Sequence, residues 1–320
     1  MAARIVVTRR IPDPAIELLD GAGDVWVSPH DRPLSTDELY EAVAGADAAV
    51  TLLHDRVDDA FLDAAGPGLR IVANVAVGYD NVDVEACARR GVVVSNTPGV
   101  LTEATADIAF ALILMSTRRL GEGERLIRAR TPWSWSMFFM LGTGLQGKTL
   151  GIVGLGKIGQ ATARRGRAFG MEIAYAGRRR ATEEVEAELG ARFVTLDELL
   201  ATADVVTLHC PLSAETRHLI DAAALARMRP SAHLVNTTRG PVVDEAALAE
   251  ALRAGAIAGA GLDVFEREPE VHPDLLELEN VVLIPHLGSA TIETRTAMGV
   301  LAAENVVAVL VGSAPVTPVR

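Results

Sequence analysis

The chain has 320 residues, 49% hydrophobic and 22% charged, enough for two domains with real cores. Its formal net charge of -12 argues against general nucleic-acid binding and against attraction to an anionic membrane surface. The two cysteines, Cys87 and Cys210, match no metal spacing or redox pair and are expected to be ordinary buried thiols.

In chain order, Ile5–Val7, Val25–Val27, Ala48–Leu53, Ile71–Val75 and Val92–Val94 read as short strands. The first of them stands where a secretory signal would carry a longer apolar stretch, so a cytoplasmic location is expected. Helical patterns fill the gaps, as in Ser35–Val43, where Ser35 is the expected N-cap and Glu38 takes the capping-box position. This alternation implies a parallel sheet. After the turn signal Thr97-Pro98-Gly99, residues Thr102 to Ile127 predict one long helix. Its apolar run Ile108–Met115 is too short to span a bilayer, and no membrane partner is expected.

Thr149–Val153 then predicts a buried strand running into Gly154-Leu155-Gly156-Lys157-Ile158-Gly159. A helix over Ile158–Phe169 and a strand over Met171–Ala176 complete a βαβ unit. Three glycines in this setting permit a tight turn, close backbone approach to a pyrophosphate and close helix–strand packing, which is the dinucleotide-binding arrangement. The helix start directs free N–H groups and its positive dipole end at the phosphates. The second strand ends in Ala176-Gly177 without the acid that would bond a ribose 2′-hydroxyl. Arg178, Arg179 and Arg180 follow instead, before a helix bearing Glu183, Glu184 and Glu186. Their donor forks suit a 2′-phosphate, so NADP(H) is the expected cofactor, with NAD(H) second. Arg178 and Arg179 are the first choices for that phosphate.

Further strands are expected at Val205–Leu208, His233–Asn236, Ala258–Leu262 and Val281–Ile284. A break follows at Pro285-His286-Leu287-Gly288, then a last helix over about Thr291–Leu310. The fold class is α/β: two Rossmann-like or flavodoxin-like parallel-sheet domains, with a dinucleotide-binding domain (99–287) inserted into a substrate domain (1–98 plus 288–320). Two crossings make a hinge, and the cleft between the domains is the expected substrate site.

Hydride transfer to a carbonyl needs an acid or base at the oxygen, a cation to orient the substrate and a place for its remaining charge. Among seven histidines, His286 ends a strand beside the second crossing and suits the first task. His209, ending another strand, reads as part of the cofactor wall, and His54 as a residue lining the cleft. His30, His218, His233 and His272 read as surface or packing residues. Arg239 and Glu268 follow the ends of two further strands, so three strand ends deliver an arginine, a carboxylate and a histidine to one rim.

With these residues in view, the chain resembles the D-2-hydroxyacid dehydrogenase family, and within it the glyoxylate/hydroxypyruvate reductases. The resemblance covers almost the whole length. It rests on Asn74-Val75-Ala76-Val77-Gly78-Tyr79-Asp80, Thr97-Pro98-Gly99-Val100-Leu101-Thr102, the glycine fingerprint and Asn236-Thr237-Thr238-Arg239-Gly240. It continues through Gly261-Leu262-Asp263-Val264-Phe265 with Glu268-Pro269, and Pro285-His286-Leu287-Gly288-Ser289-Ala290-Thr291. The resemblance implies that His286 is the acid/base, Glu268 its partner and Arg239 the substrate-orienting cation. It implies that the backbone N–H groups of Val77 and Gly78 receive the substrate carboxylate, with Leu53, Ser289, Arg239 and His286 also at the substrate. Cofactor contacts are implied for Thr105, Gly154, Gly156, Lys157, Ile158, Gly159, Cys210, Pro211, Thr216, Thr238, Asp263 and His286. Trp135 matches a position that reaches a partner subunit's active site, so a homodimer is expected, and no metal is.

The implied reaction is NADPH-preferring reduction of a small 2-keto acid. Apolar Leu53, Trp135 and Met137, and the absence of room for an appended regulatory domain, weigh against the phosphoglycerate or D-lactate type. A nucleotide-sensing corepressor-like protein is the alternative from another class.

Overall fold

The computed structural model describes residues 2–319. The chain divides into two units, Met1–Leu101 with Ala290–Arg320, and Thr102–Ser289. In the first unit, β1 (Ala3–Val7), β2 (Gly23–Val27), β3 (Ala48–Thr51), β4 (Ile71–Asn74) and β5 (Val93–Ser95) form a parallel sheet in the order β2-β1-β3-β4-β5. The second unit has seven parallel strands: β6 (Thr149–Val153), β7 (Glu172–Ala176), β8 (Ala191–Phe193), β9 (Val205–Leu208), β10 (His233–Asn236), β11 (Gly259–Leu262) and β12 (Val281–Leu283). Their order is β12-β11-β10-β9-β6-β7-β8. Both sheets are doubly wound, and the winding reverses between β1 and β3 and between β6 and β9.

Strands β3, β4, β9, β10 and β11 are buried at every residue. Helices cover both faces of such sheets, so the strands read as continuous apolar runs rather than alternating ones. The capping box forms as expected: Ser35 Oγ accepts the Glu38 N–H, and the Glu38 carboxylate accepts the Ser35 N–H. Thr291 caps the last helix, Ile292–Leu310. That helix brings Gly299 against Ala15 of the helix Asp13–Asp20, so close that a Cβ on Gly299 would lie 3.1 Å from that of Ala15. Among the described residues no helix is long and apolar enough to cross a membrane.

Three elements depart from the sequence pattern. The single helix expected over 102–127 is two, Thr102–Thr117 and Leu120–Arg128, separated by Arg119 at φ 55°. Thr117 turns its hydroxyl back onto the Ile113 carbonyl, and its own carbonyl accepts the N–H of distant Thr143. A tertiary hydrogen bond thus takes the acceptor that helix continuation needs, and Gly121 and Gly123 lower helical propensity beyond it. Strand β3 stops at Thr51, two residues early, because the Leu52 N–H is captured by the Asp55 carboxylate (2.7 Å). The edge strand β8, only three residues long and directly after Gly190 at φ 56°, is too short to leave a periodic signal.

His233, at the start of β10, is buried with Nδ1 2.7 Å from Ser116 Oγ. Burial pushes its imidazole down to about 4. The unfolded chain takes up this proton below about pH 6.5 while the fold resists it. Stability is therefore expected to fall between about pH 6.5 and 4, and His233→Gln to flatten the fall. Urea denaturation at pH 7 and pH 5 checks this; an unchanged pH slope in the variant counts against it.

Candidate active site

Strands β10, β11 and β12 lie side by side, and the loops after them are tied together by their own side chains. After β10, the buried Asn236 amide closes a turn. Its oxygen accepts the Thr238 N–H (3.0 Å) and hydroxyl (2.8 Å), and its nitrogen donates to the Arg239 carbonyl (2.9 Å). An asparagine that bonds its own following backbone is what turns the chain here. Arg239 is half-buried and donates through Nη1 to the Thr238 carbonyl (2.9 Å). Gly240 then rests on the loop after β11: a Cβ on it would sit 1.8 Å from the Phe265 carbonyl carbon. Only glycine permits that approach.

The loop carrying His286 is held from two sides. Buried Asp263, just past β11, accepts the Leu287 N–H (2.5 Å) with one carboxylate oxygen and the Gly288 N–H (2.8 Å) with the other. The Thr105 hydroxyl donates to the Gly288 carbonyl (3.1 Å). His286 itself has φ 52°, a left-handed backbone that a non-glycine residue adopts at a cost of about 1–2 kcal/mol. Its N–H donates to the Asp263 carbonyl (2.9 Å). Burial raises the Asp263 carboxyl above its usual range, against the opposing pull of these N–H groups and of His286.

Glu268 meets His286 here. Its Oε2 lies 2.7 Å from His286 Nδ1, and its Oε1 accepts the Phe265 N–H (3.0 Å). Burial pushes the Glu268 carboxyl up. The hydrogen bond and charge of His286, the Phe265 N–H and the charge of Arg239 outweigh it and hold the group below its usual range. An ionised carboxylate only accepts hydrogen bonds, so Nδ1 carries a proton toward Glu268 and Nε2 is left for a reacting oxygen.

At the other part of the same sheet, two fingerprint glycines are demanded by packing. Gly154 has φ 97°, and its Cβ would lie 2.8 Å from the His209 backbone; a Cβ on Gly159 would lie 2.3 Å from the Gly154 carbonyl oxygen. Gly156 differs, because a Cβ there would meet nothing within 4 Å. It leaves clear the N-terminus of the helix Lys157–Ala168, for which Gly156 is the N-cap and supplies no side chain. Free N–H groups facing open space suit a multi-oxygen anion such as a pyrophosphate. Beside this turn, His209 Nδ1 is buried and, among the described residues, has no partner; nor has Thr237 Oγ1. Burial pushes the His209 imidazole down to about 3, so it stands neutral. A dinucleotide thus fits the residues present.

Beyond β7, Gly177 to Arg180 are all exposed. Arg180 is engaged by Glu186, through Nε (2.9 Å) and Nη2 (2.8 Å), and the same carboxylate accepts the Tyr175 hydroxyl (2.5 Å). Among the described residues Arg178 and Arg179 form no ion pair, although the charge of Arg178 acts on Glu215. The Thr216 hydroxyl accepts the Ser213 N–H (2.8 Å) and donates to the Pro211 carbonyl (2.7 Å), folding that loop. The Thr238 hydroxyl is spent on Asn236. Lys157 is exposed and Ile158 half-buried. Cys87 is buried and Cys210 only half-buried; burial pushes both thiols up to about 11.

In the first unit, the 74–81 loop is held by three asparagines. Asn96 Nδ2 donates to the Val77 carbonyl (2.8 Å), Asn74 Nδ2 to that of Gly78 (3.1 Å), and Asn81 Nδ2 to those of Leu52 (3.1 Å) and Asp55 (2.9 Å). The Val77 and Gly78 N–H groups donate to no acceptor among the described residues. Leu53 and Ser289 are half-buried, and His54 is exposed. Trp135 and Met137 are 74% and 71% exposed, on a segment where Trp133 stacks on Phe139 with centroids 5.8 Å apart. The remaining histidines lie elsewhere: His30 is exposed, His218 Nε2 is 3.1 Å from Glu266, and His272 Nδ1 is buried.

A family model described as the D-isomer specific 2-hydroxyacid dehydrogenase, NAD binding domain, matches residues 110–288. A glyoxylate reductase of Thermococcus onnurineus is 48% identical over 100% of this chain and 96% of its own. The chain belongs to the D-isomer specific 2-hydroxyacid dehydrogenase family. A solved Thermus thermophilus protein superposes with a TM-score of 0.93 at 44% identity, covering 99% of this dehydrogenase and 100% of that chain. The NADPH-dependent glyoxylate/hydroxypyruvate reductase of Sinorhizobium meliloti, solved with NADP and malonate, gives 0.86 at 37% identity, covering 100% and 97%.

The dehydrogenase is therefore a nicotinamide-dependent oxidoreductase. Several residues that shape its site had no role from residue type alone. Asn74, Asn236 and Gly240 sit inside the motifs, and Asn81 and Asn96 beside them. An asparagine ending a buried strand before a turn is the local signal for the first two. No local signal marks Gly240, whose partner lies a strand away.

Proposed function

We propose that the dehydrogenase reduces small 2-keto acids, glyoxylate and hydroxypyruvate foremost, with NADPH preferred. The observation that carries this is the 2.7 Å pair of Glu268 and His286, with the charge of Arg239 acting on it. The names of the relatives support the substrate class, and a relative solved with NADP supports the cofactor.

When bound, the nicotinamide supplies hydride to the keto carbon. His286 gives the proton from Nε2 to the keto oxygen as that atom gains charge, and Glu268 keeps the ring oriented. Arg239 orients and stabilises the same oxygen. The Val77 and Gly78 N–H groups take the substrate carboxylate, and Leu53 and Ser289 are further substrate contacts in this reading. Gly154, Gly156 and Gly159 admit the pyrophosphate, with Thr105, Ile158, Cys210, Pro211, Thr238 and Asp263 around the cofactor. Residues 99–287 form the dinucleotide-binding domain, and 1–98 with 288–320 the substrate domain. The exposed aromatic segment fits a homodimer in which Trp135 restricts the partner subunit's substrate.

Arg178 and Arg179 take the 2′-phosphate. Arg180 is third because Glu186 already occupies its fork. Initial rates with glyoxylate, hydroxypyruvate and pyruvate, each against NADPH and NADH, test the reading. Replacing Arg178 and Arg179 by Ala is expected to raise the KM for NADPH at least about tenfold, since each charge-assisted hydrogen bond contributes about 1.5–3 kcal/mol. The KM for NADH should not move. Turnover with NADH equal to that with NADPH would overturn the cofactor preference. Nucleotide binding without keto-acid turnover would favour the nucleotide-sensing reading instead.

A further inference from the structure

The segment leading into Glu268 is gripped by a second pair of acids. Glu245, the first residue of the helix Glu245–Arg253, is buried, and its carboxylate accepts the Glu266 N–H at 2.7 Å. Glu266 returns the bond: its Oε1 accepts the Glu245 N–H at 3.1 Å, while its Oε2 lies 3.1 Å from His218 Nε2. Each side chain holds the other's backbone.

The helix does not need this. Its N-cap, Asp244, already accepts the Ala247 N–H with its own side chain (3.0 Å). A buried carboxyl is costly unless its bonds repay the lost solvation. Burial does push the Glu245 group above its usual range, with the charge of Glu266 adding to that and the N–H of Glu266 and the charge and backbone of His272 opposing it. Of the bonds that repay it, the one from the Glu266 N–H runs to the loop between Phe265 and Glu268, beside one from the His272 backbone. Phe265, one residue before Glu266, supplies the N–H that Glu268 accepts, and also the backbone on which Gly240 rests. Holding residue 266 therefore holds the platform from which Glu268 reaches His286.

We infer that Glu245 and Glu266 are positioning residues for the reaction, clamping the 265–268 loop so that the Glu268 carboxylate stays on His286 Nδ1. This rests on the catalytic assignment of Glu268 and His286 proposed above. The titratable groups facing the pair are Asp263, on which both His286 and Glu268 act, and Arg239, which acts on Glu268.

The test compares pH profiles of kcat for keto-acid reduction in the wild type, Glu245→Ala, Glu266→Ala, Glu245→Gln, Glu268→Gln and the double variant Glu245→Ala/Glu268→Gln. Glu245→Ala and Glu266→Ala are expected to lower kcat about 10- to 100-fold, the usual effect of losing a group that orients a functional residue. The KM for NADPH should stay put. The alkaline fall of the profile should move to lower pH, as in Glu268→Gln, because a displaced carboxylate supports the protonated imidazole less. Glu245→Gln keeps an oxygen acceptor and should stay within about threefold of wild type. Added to Glu268→Gln, Glu245→Ala should cost less than about twofold more, since both act through one carboxylate. Wild-type kcat and pH profile in folded Glu245→Ala and Glu266→Ala, or a fully additive loss in the double variant, would overturn the inference. If Glu245→Ala does not fold, Glu266→Ala carries the same comparison. Wild-type activity in Glu268→Gln alone would instead remove the catalytic assignment, and this inference with it.

Discussion

Turnover of a keto acid is expected to fall about 10²–10⁴-fold in His286→Ala, the span a positioned proton donor contributes, while NADPH binding persists. The side chain bonds Glu268, whereas its loop is held by backbone: the His286 N–H on the Asp263 carbonyl, and the Leu287 and Gly288 N–H groups on the Asp263 carboxylate. Histidine tolerates φ 52° somewhat better than alanine, but three hydrogen bonds from the backbone of the loop remain to hold it. The loop should therefore survive, and the loss should appear in kcat. Single-turnover reduction beside a direct NADPH-binding titration separates the two. Undiminished kcat in folded His286→Ala would remove the acid/base assignment. Reduction needs a proton on the imidazole, so wild-type activity should decline toward alkaline pH.

The second large effect needs only one methyl group. Gly240→Ala would place Cβ 1.8 Å from the Phe265 carbonyl carbon, 2.0 Å from its oxygen and 2.3 Å from the Glu266 nitrogen. These are backbone atoms, so no rotamer relieves the clash, and the loops after β10 and β11 must separate. Overpacking of this kind costs about 1–3 kcal/mol, occasionally more. The same movement carries Arg239 away from Glu268, and a displacement of about 1 Å in a reacting constellation lowers turnover about 10²-fold. Gly156→Ala is the contrasting control. Its Cβ meets nothing within 4 Å, so stability should hold while the KM for the cofactor rises. Chemical denaturation and steady-state kinetics on both variants check the pair. Wild-type stability and kcat in Gly240→Ala would mean that the loops do not approach so closely.

Local pattern carried much of the fold. Buried apolar strands, the Ser35–Glu38 box and the strand–glycine–helix turn at 149–159 each depend on residues within a few positions of one another, so periodicity and capping chemistry suffice to find them. The placement of Arg239, Glu268 and His286 after strand ends was legible for the same reason, because the end of a short buried run is a local property. The resemblance then gave those three residues their expected roles.

Other features depend on partners remote in the chain. The helix expected over 102–127 stops because Thr143 takes the Thr117 carbonyl. Arg180 is a nearer case: Glu186, only six residues on, occupies its fork, and three like residues in a row do not say which one is taken. Asp263 was expected against the cofactor; its carboxylate also clamps the loop of His286, 24 and 25 residues further along. Gly240 and the Glu245–Glu266 exchange likewise join segments 21 or more residues apart. Composition and spacing identify what chemistry a residue offers and which strand end presents it. The hydrogen bonds and close approaches that set the orientation of Arg239, Glu268 and His286 arise only when the loops after β10, β11 and β12 are packed together.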